Sequence, residues 1–206
     1  MTLALGVLVS GSGSNLQSIL DACSDGKLDA TVRVVLSNKP GVFALERAAR
    51  AGIDAVVLSH RDFSSREAFD GAVVEALRAR GVDTVVLAGF MRIVTPVLLD
   101  AFRGRVINVH PALLPAFPGV DAQRQALEYG AKIAGCTVHF VDAGMDTGPV
   151  IAQSAVAVRE DDTVESLRAR ILSEEHILLP AALQWLAEGR LSVDGRRVRV
   201  LDAARR

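Results

Sequence analysis

Short apolar runs alternate with helical patterns over the first half of the chain, and this rhythm constrains the fold more than any other feature. The runs cover residues 3–9, 31–37, 55–58, 84–88 and 106–109. Between the first two, four apolar side chains recur at helical spacing: Leu16, Ile19, Leu20 and Cys23. Regular strand–helix alternation predicts an α/β fold with a mostly parallel, doubly wound (Rossmann-like) sheet and helices on both faces.

Turn and cap signals place the later helices. Ser64 and Glu67 form a capping-box pattern for a helix that ends near Gly81, and Thr95 followed by Pro96 predicts the start of another. We expect a further helix from about Thr163 that is broken near Pro180.

After residue 110 the strand–helix rhythm changes. Residues 111–121 contain three prolines and are expected to form a loop, and two β-rich runs follow at 136–141 and 150–158. Asp194 and Gly195 lie between two short apolar runs, which predicts a C-terminal β-hairpin. We see no linker or repeat, so we expect one domain over residues 1–206.

Composition excludes several classes of protein. Half of the 206 residues are hydrophobic and the net charge is −1, which argues against a nucleic-acid surface. No uncharged apolar run is long enough to span a membrane, and the N-terminus lacks the basic region of a signal peptide. Cys23 and Cys136 form neither a disulfide framework nor a CxxC metal site. We expect a soluble, cytoplasmic protein. Its oligomeric state cannot be read from the sequence, although a homodimer is compatible with it.

Two polar residues follow each other closely at the end of the strand predicted at residues 106–109. Asn108 and His110 are two residues apart, so their side chains emerge on the same face of the strand. Pro111 ends the ladder there, at the edge where α/β sheets bind ligands. An amide beside an imidazole can hold a developing oxyanion and move a proton. The alternative is a pair of hydrogen-bonded residues that merely closes a strand.

A glycine-rich turn joins the first strand to the first helix, with the sequence SGSGSN at residues 10–15. It is neither a Walker A loop nor a complete GxGxxG motif, because Leu16 occupies the place of the third glycine. Glycines and a helix N-terminus favour an anion, so we predict that Gly13, Ser14 and Asn15 bind a single phosphate. A tight turn with no ligand is the alternative.

Four segments together carry a family resemblance: residues 10–15 (SGSGSN), 87–93 (LAGFMRI), 108–115 (NVHPALLP) and 142–149 (DAGMDTGP). In this combination the chain resembles the phosphoribosylglycinamide (glycinamide ribonucleotide) formyltransferase family, from about residue 3 to 190. The resemblance implies formyl transfer from 10-formyltetrahydrofolate to the amine of N1-(5-phospho-D-ribosyl)glycinamide, in de novo purine biosynthesis. It also implies a phosphate-binding half over about 1–105 and a folate-binding, catalytic half over about 106–206.

The resemblance gives catalytic roles to Asn108, His110 and Asp146, and their chemistry supports these roles independently. Asn108 can donate to the oxyanion without titrating, and protonated His110 can donate and then shuttle a proton. A carboxylate from Asp146 would keep more of His110 cationic near neutrality. The alternative for Asp146 is an Asx turn that satisfies its own loop.

The resemblance also implies the residues that contact the two substrates. Glu175 would contact the ribose or glycinamide of the acceptor, unless it is a solvated helix residue. The folate contacts would be Arg66, Met91, Arg92, Ile93, Val94, Asn108, Asp142, Ala143, Gly144, Met145 and Asp146. A flat pterin suits an apolar slot edged by backbone groups, and guanidinium groups suit the carboxylates of its glutamate tail. Arg66 could equally be an ordinary exposed arginine.

The other histidines and two departures from the family pattern complete the candidate residues. We expect His139 to be structural or supporting, and His60 and His176 to be structural. Four dispersed histidines without ligand spacing predict no metal. Asp121 stands where relatives often carry histidine and Leu172 where they carry a polar residue, so details of the phosphate contacts remain open.

Two rival functions remain. One is another folate-dependent formyl-transfer enzyme or a 10-formyltetrahydrofolate hydrolase, although we expect this chain to be too short for the extra domains of those enzymes. The other is a non-catalytic nucleotide-binding module, which gives no role to Asn108, His110 and Asp146 together.

Overall fold

The computed structural model describes residues 2–202 of the chain. The chain divides into two compact units, Met1–Asn108 and Val109–Arg206, so the single domain expected from the sequence stays a prediction. Within residues 2–202, no helix combines the length and the apolar character needed to cross a membrane.

The first unit is built on parallel strands. These are β1 (Leu3–Val9), β2 (Ala30–Ser37), β3 (Ala55–Val57), β4 (Thr84–Leu87) and β5 (Val106–His110), whose last two residues belong to the second unit. They lie in the order β3-β2-β1-β4-β5, and every pair is parallel. The central strands are buried on both faces, as the continuous apolar runs predicted.

Helices connect these strands: α1 (Ser14–Ser24), α2 (Phe43–Arg50), α3 (Arg66–Arg78) and α4 (Pro96–Ala101). The strand order reverses after β3, so right-handed crossovers place α1 and α2 on one face and α3 and α4 on the other. The contacts of α1 with α2 and of α3 with α4 agree with this arrangement. The predicted Rossmann-like α/β class is therefore confirmed.

The predicted start of α3 is off by one residue. The N-cap is Ser65, whose hydroxyl accepts from the Ala68 amide at 3.0 Å, and not Ser64. Glu67 thus falls at the second helical position and cannot complete a capping box, which needs the third. The helix buries one face, formed by Phe69, Val73 and Leu77.

The second unit contains α5 (Ala122–Tyr129), β6 (Ile133–Phe140), β7 (Val150–Ala157), α6 (Val164–Ala187), β8 (Leu191–Asp194) and β9 (Arg197–Val200). Its strands lie in the order β6-β7-β9-β8; β6 with β7 and β8 with β9 are antiparallel, and β9 joins β7 in parallel. The strands β8 and β9 form the C-terminal hairpin predicted from Asp194 and Gly195. Helix α6 packs Leu167 and Ile171 against Cys136 of β6.

The predicted break at Pro180 is wrong, because α6 continues through it to Ala187. A proline inside a helix costs about 3 kcal/mol, since it removes a hydrogen bond and crowds the preceding turn. Here Leu179, Pro180 and Leu183 are all buried. Tertiary packing on both sides of the proline thus outweighs its local penalty, and that packing is invisible in the local pattern.

The start of α6 gives a testable prediction. Thr163 Oγ1 accepts from the Ser166 amide at 3.2 Å, and Ser166 Oγ accepts from the Thr163 amide at 3.0 Å. Thr163→Ala should lower the free energy of unfolding by about 1 kcal/mol, measured by urea denaturation. Ser173→Ala in the same helix is the control, because a mid-helix hydroxyl on a carbonyl adds little. An equal loss in both variants would contradict the capping role.

Candidate active site

Strand β5 carries the two polar residues that the sequence singled out. It extends one residue beyond the predicted end, so His110 is its last residue and Pro111 follows. The alternation of the strand puts the side chains of Asn108 and His110 on one face and that of Val109 on the other. Asn108 is half-buried, and His110 is only 4% exposed. The strand thus delivers an amide and an imidazole to the same side of the sheet.

The His110 ring is held from both nitrogens. Its Nε2 lies 2.8 Å from the Phe117 carbonyl oxygen, and its Nδ1 lies 3.3 Å from Asp146 Oδ2. A carbonyl can only accept, so Nε2 carries a proton. The Asp146 carboxylate faces the other ring nitrogen, so each nitrogen has an oxygen partner and the two contacts fix the orientation of the ring.

Asp146 comes from the bent segment between β6 and β7. Its backbone is left-handed, with φ +55°, and its side chain is 13% exposed. Besides facing His110, Oδ2 accepts from the Gly119 amide at 2.8 Å. The Asx-turn alternative describes Asp142 instead, whose Oδ1 accepts from Gly144 N and Thr147 Oγ1 within its own loop. Asp146 thus reaches outside its loop, as the catalytic interpretation requires.

Glycine at 148 allows this segment to bend back on the sheet. A Cβ there would collide with the Phe140 carbonyl, and one at Gly144 would collide with the Thr147 hydroxyl. Only glycine avoids these collisions. The glycines of the DAGMDTGP segment therefore fix the path that carries Asp146 to His110.

His139 lies on the other side of the Asp146 carboxylate. Its Nε2 is 3.8 Å from Asp146 Oδ1, and its Nδ1 donates to the Phe140 carbonyl at 2.8 Å. Burial lowers the pKa of His139, and the Phe140 carbonyl and Asp146 offset this only in part. His139 is thus buried and hydrogen-bonded beside Asp146, and its structural or supporting role stays a prediction.

The loop at residues 111–121 is anchored by residues that the sequence analysis missed. Thr137 Oγ1 donates to the Ala112 carbonyl at 2.6 Å and accepts from the Leu114 amide at 3.0 Å. Gln153 Nε2 donates to the Leu114 carbonyl and to Thr137 Oγ1, each at 2.9 Å. These bonds hold the loop just before Phe117 and Gly119, whose backbone groups bind His110 and Asp146. Backbone donors and acceptors leave no mark in a sequence.

The glycine turn predicted to bind a phosphate packs closely against α2. Gly13 caps α1 with a left-handed backbone, φ +70°, and a Cβ on it would lie 2.6 Å from Ala44 Cβ. Ser14 is half-buried and Asn15 is buried at the first turn of α1. Arg47, which the sequence analysis missed, fixes the turn by donating to the Ser12 carbonyl at 3.0 Å. The N-terminus of α1, the positive end of the helix dipole, therefore adjoins a turn whose backbone conformation is fixed.

The segment expected to line the pterin follows β4. Met91 and Ile93 are exposed apolar side chains, at 66% and 49%, whereas Val94 is buried. The Arg92 guanidinium lies 5.5 Å from the centre of the Phe69 ring. Arg66 is exposed at the first position of α3. Exposed apolar surface at a strand end is typical of ligand sites.

The remaining candidates lie in the second unit. Ala143, Gly144 and Met145 are exposed on the Asp142–Asp146 bend. Glu175 is 6% exposed on α6, so the alternative of a solvated helix glutamate is wrong. Burial, followed by the charge of Glu175, raises the pKa of the nearby Cys136 thiol to about 12.

The two departures from the family pattern have ordinary surroundings. Asp121 is the N-cap residue of α5, and its carboxylate accepts from Arg124 at 2.8 Å and Arg168 at 3.4 Å. Leu172 is half-buried on α6.

Within the second unit the structure therefore brings together His110, Asp146 and His139, with Asn108 two residues from His110 on the same strand. Within the first unit, the phosphate turn and the Met91 segment follow the paired parallel strands β1 and β4. Among the described residues no group of histidine, cysteine and acidic side chains is arranged to hold a metal ion.

Comparison with known proteins identifies the family of this chain. The family model described as formyl transferase matches residues 4–183. The chain belongs to the formyl transferase family. Residues 10–15, 87–93, 108–115 and 142–149 all lie within the matched range.

Among its relatives in this family, the phosphoribosylglycinamide formyltransferase of Escherichia coli K12 is 46% identical over 187 residues, covering 91% of this chain and 88% of that protein. The trifunctional purine biosynthetic protein adenosine-3 of Drosophila melanogaster is 50% identical over 185 residues. The match covers 89% of this chain but spans only 14% of that longer protein. The solved glycinamide ribonucleotide transformylase 1 of Symbiobacterium toebii is 57% identical, with a TM-score of 0.96 over 98% of this chain and 95% of that one.

The burial of His139 in this formyl transferase predicts a pH dependence of stability. Its folded-state pKa lies below the ordinary 6.5, so the unfolded chain takes up a proton first as the pH falls. The free energy of unfolding should therefore decrease below about pH 6.5, by at most about 1.4 kcal/mol per pH unit for this group. His139→Asn, which keeps a donor for Phe140, should show a shallower decrease in urea titrations between pH 7.5 and 5.5. An unchanged slope would contradict this origin.

Proposed function

We propose that this chain transfers the formyl group of 10-formyltetrahydrofolate to the amine of N1-(5-phospho-D-ribosyl)glycinamide, a step of purine biosynthesis. The contact of His110 Nδ1 with the Asp146 carboxylate at 3.3 Å is the observation that carries the proposal. Relatives named phosphoribosylglycinamide formyltransferase, matched over most of their length, support this acceptor.

The first step needs donors at a developing negative charge. Attack of the amine on the formyl carbon forms a C–N bond and leaves the charge on the formyl oxygen. The Asn108 amide and His110 Nε2–H are the donors for this oxygen, and each such donor contributes a few kcal/mol. In the structure the Nε2 proton is held by the Phe117 carbonyl, so the formyl oxygen replaces that carbonyl as the acceptor.

The second step moves a proton. The attacking amine becomes cationic in the tetrahedral intermediate and must lose a proton, and the folate nitrogen must gain one as its bond to the formyl carbon breaks. With Asp146 beside it, a protonated His110 can give its proton to the folate nitrogen as that bond breaks and then take the proton that the amine loses, which restores its starting state. A positioned acid–base group contributes about a hundredfold to ten-thousandfold. The Gly119 amide keeps the carboxylate oriented meanwhile.

The binding roles follow from the positions of the other candidates. Gly13, Ser14 and Asn15 hold the phosphate at the N-terminus of α1, and buried Glu175 contacts the ribose or glycinamide part. Met91, Arg92, Ile93, Val94 and the Asp142–Asp146 bend contact the folate, and exposed Arg66 pairs with its glutamate tail. The enzyme is further proposed to act in the cytoplasm on small molecules alone, without a metal, with a homodimer as one candidate assembly.

An acceptor assay tests this function directly. Purified protein with 10-formyltetrahydrofolate is offered N1-(5-phospho-D-ribosyl)glycinamide, water alone or charged initiator tRNA. The release of tetrahydrofolate is followed by absorbance. Turnover that requires the glycinamide is expected. Equal turnover in water would indicate a hydrolase, and turnover only with tRNA would indicate a different formyltransferase.

Substitutions of His110 and Asp146 should distinguish the loss of the proposed proton carrier from the loss of the negative charge beside it. His110→Ala should lower kcat about a thousandfold, and Asp146→Asn, which keeps an acceptor for Gly119, about a hundredfold. Asp161→Asn, an exposed carboxylate, serves as the matched control and should keep wild-type kcat. Folding is checked by circular dichroism. Full activity in His110→Ala would end the proposed proton transfer.

The phosphate cradle can be tested with two glycines of the same backbone conformation. Gly13→Ala introduces a Cβ against Ala44 and should raise the KM for the glycinamide substrate about tenfold, while the KM for the folate changes less than about twofold. Gly26→Ala has a similar φ of +69° but no atom within 4 Å of its Cβ, so it controls for backbone strain alone. Equal changes of both KM values in Gly13→Ala would argue against a phosphate site.

A further inference from the structure

Residues 91–94 form a strap between β4 and α4, and the structure fixes this strap at both ends. The Met91 amide donates to Ser10 Oγ at 2.9 Å, and the Thr95 amide, just after the strap, donates to Asp70 Oδ2. Ser10 and Asp70 belong to distant parts of the sequence, and neither was a candidate for function. Both acceptors are nearly fully buried, with 6% and 2% exposure.

Ser10 is set to accept by its other neighbours. Its hydroxyl donates its single proton to Asn38 Oδ1 at 2.6 Å, so the lone pairs remain for the Met91 amide. Asn38 is in turn oriented by donating to His60 Nδ1 at 3.4 Å. The Ser10 amide donates to the Gly89 carbonyl at 3.1 Å. The hydrogen bonds between Asn38, just after β2, and Ser10 and between Ser10 and Met91 therefore fix the position at which the strap begins.

Asp70 is a buried carboxylate, and burial disfavours its charged form. Burial raises the pKa of Asp70, and the hydrogen bonds from Thr95 and the charge of Arg92 only partly offset this. A buried carboxylate normally costs stability unless it is hydrogen-bonded. In this helix its neighbours Phe69 and Val73 are ordinary core residues. A polar group at this position thus has a role in holding the chain at Thr95.

The strap between the anchors exposes the side chains of Met91 and Ile93 and buries that of Val94. Arg92 lies over the ring of Phe69, the residue before Asp70. An exposed apolar strap whose ends are bonded to buried groups keeps its backbone in one conformation without a ligand. Such preorganisation removes the cost of ordering the strap on binding.

We propose that Ser10 and Asp70 are positioning residues for the folate, acting through the backbone of the strap and not by contact with the ligand. This inference rests on the proposed function, which assigns the strap to the pterin. Loss of either acceptor leaves a buried amide without its partner, so the strap shifts and the folate binds less tightly.

Three variants and one control test the inference. Ser10→Ala and Asp70→Ala remove the acceptors, Asp70→Asn keeps an oxygen for the Thr95 amide, and Ser24→Ala changes an exposed serine at the end of α1. The dissociation constant of tetrahydrofolate is measured by isothermal titration calorimetry, at a temperature where thermal melts show every variant folded. We expect binding about tenfold weaker in Ser10→Ala and Asp70→Ala, and within about threefold of wild type in Asp70→Asn. Ser24→Ala should match wild type.

Kinetics separate positioning from a general loss of stability. In Ser10→Ala and Asp70→Ala, the KM for 10-formyltetrahydrofolate should rise about tenfold, while the KM for the glycinamide substrate stays within about twofold. Tetrahydrofolate binding unchanged in both alanine variants would overturn the inference and leave the proposed function standing, as would equal increases of both KM values. Failure of the wild-type protein to bind tetrahydrofolate would overturn both.

Discussion

The imidazole of His110 is held between a carbonyl and a carboxylate, and the proposed chemistry depends on this arrangement. The Phe117 carbonyl lies at Nε2 and the Asp146 carboxylate at Nδ1. These two contacts fix the orientation of the ring, and the side chains of His110 and Asp146 are only 5% and 13% exposed. The arrangement therefore places a carboxylate beside the imidazole in surroundings with little water, where opposite charges interact more strongly.

The second unit maintains this arrangement with backbone conformations that ordinary residues seldom adopt. Phe117 and Asp146 both have positive φ, at 53° and 55°, and such conformations cost of order 1–3 kcal/mol each. They persist because Thr137 and Gln153 fix the loop before Phe117, and because Gly148 lets the other segment pass the Phe140 carbonyl. The two strained residues lie where the Phe117 carbonyl and the Asp146 carboxylate contact the His110 ring. The Gly119 amide binds that carboxylate.

The first unit presents the two segments proposed to bind substrates from one sheet edge. Strands β1 and β4 are paired in parallel, so the glycine turn and the segment that leads to the strap begin side by side. Ser10 belongs to both: it precedes Gly11 of the turn and bonds the Met91 amide of the strap. Its hydroxyl, held by Asn38, bonds the strap and not the turn.

The sequence by itself determined the α/β class, the strand positions, the C-terminal hairpin and the placing of Asn108 with His110, because these depend on short periodicities and turn chemistry. It left Asp146 ambiguous between a turn residue and a partner of His110, since the choice depends on contacts with residues far along the chain. Pro180 was misjudged for the same reason: local propensity predicts a break, and only packing of α6 against the sheet overrules it. Only the tertiary structure supplied Phe117, Gly119, Ser10 and Asp70, because two of them act through backbone atoms and the other two through long-range bonds to backbone amides.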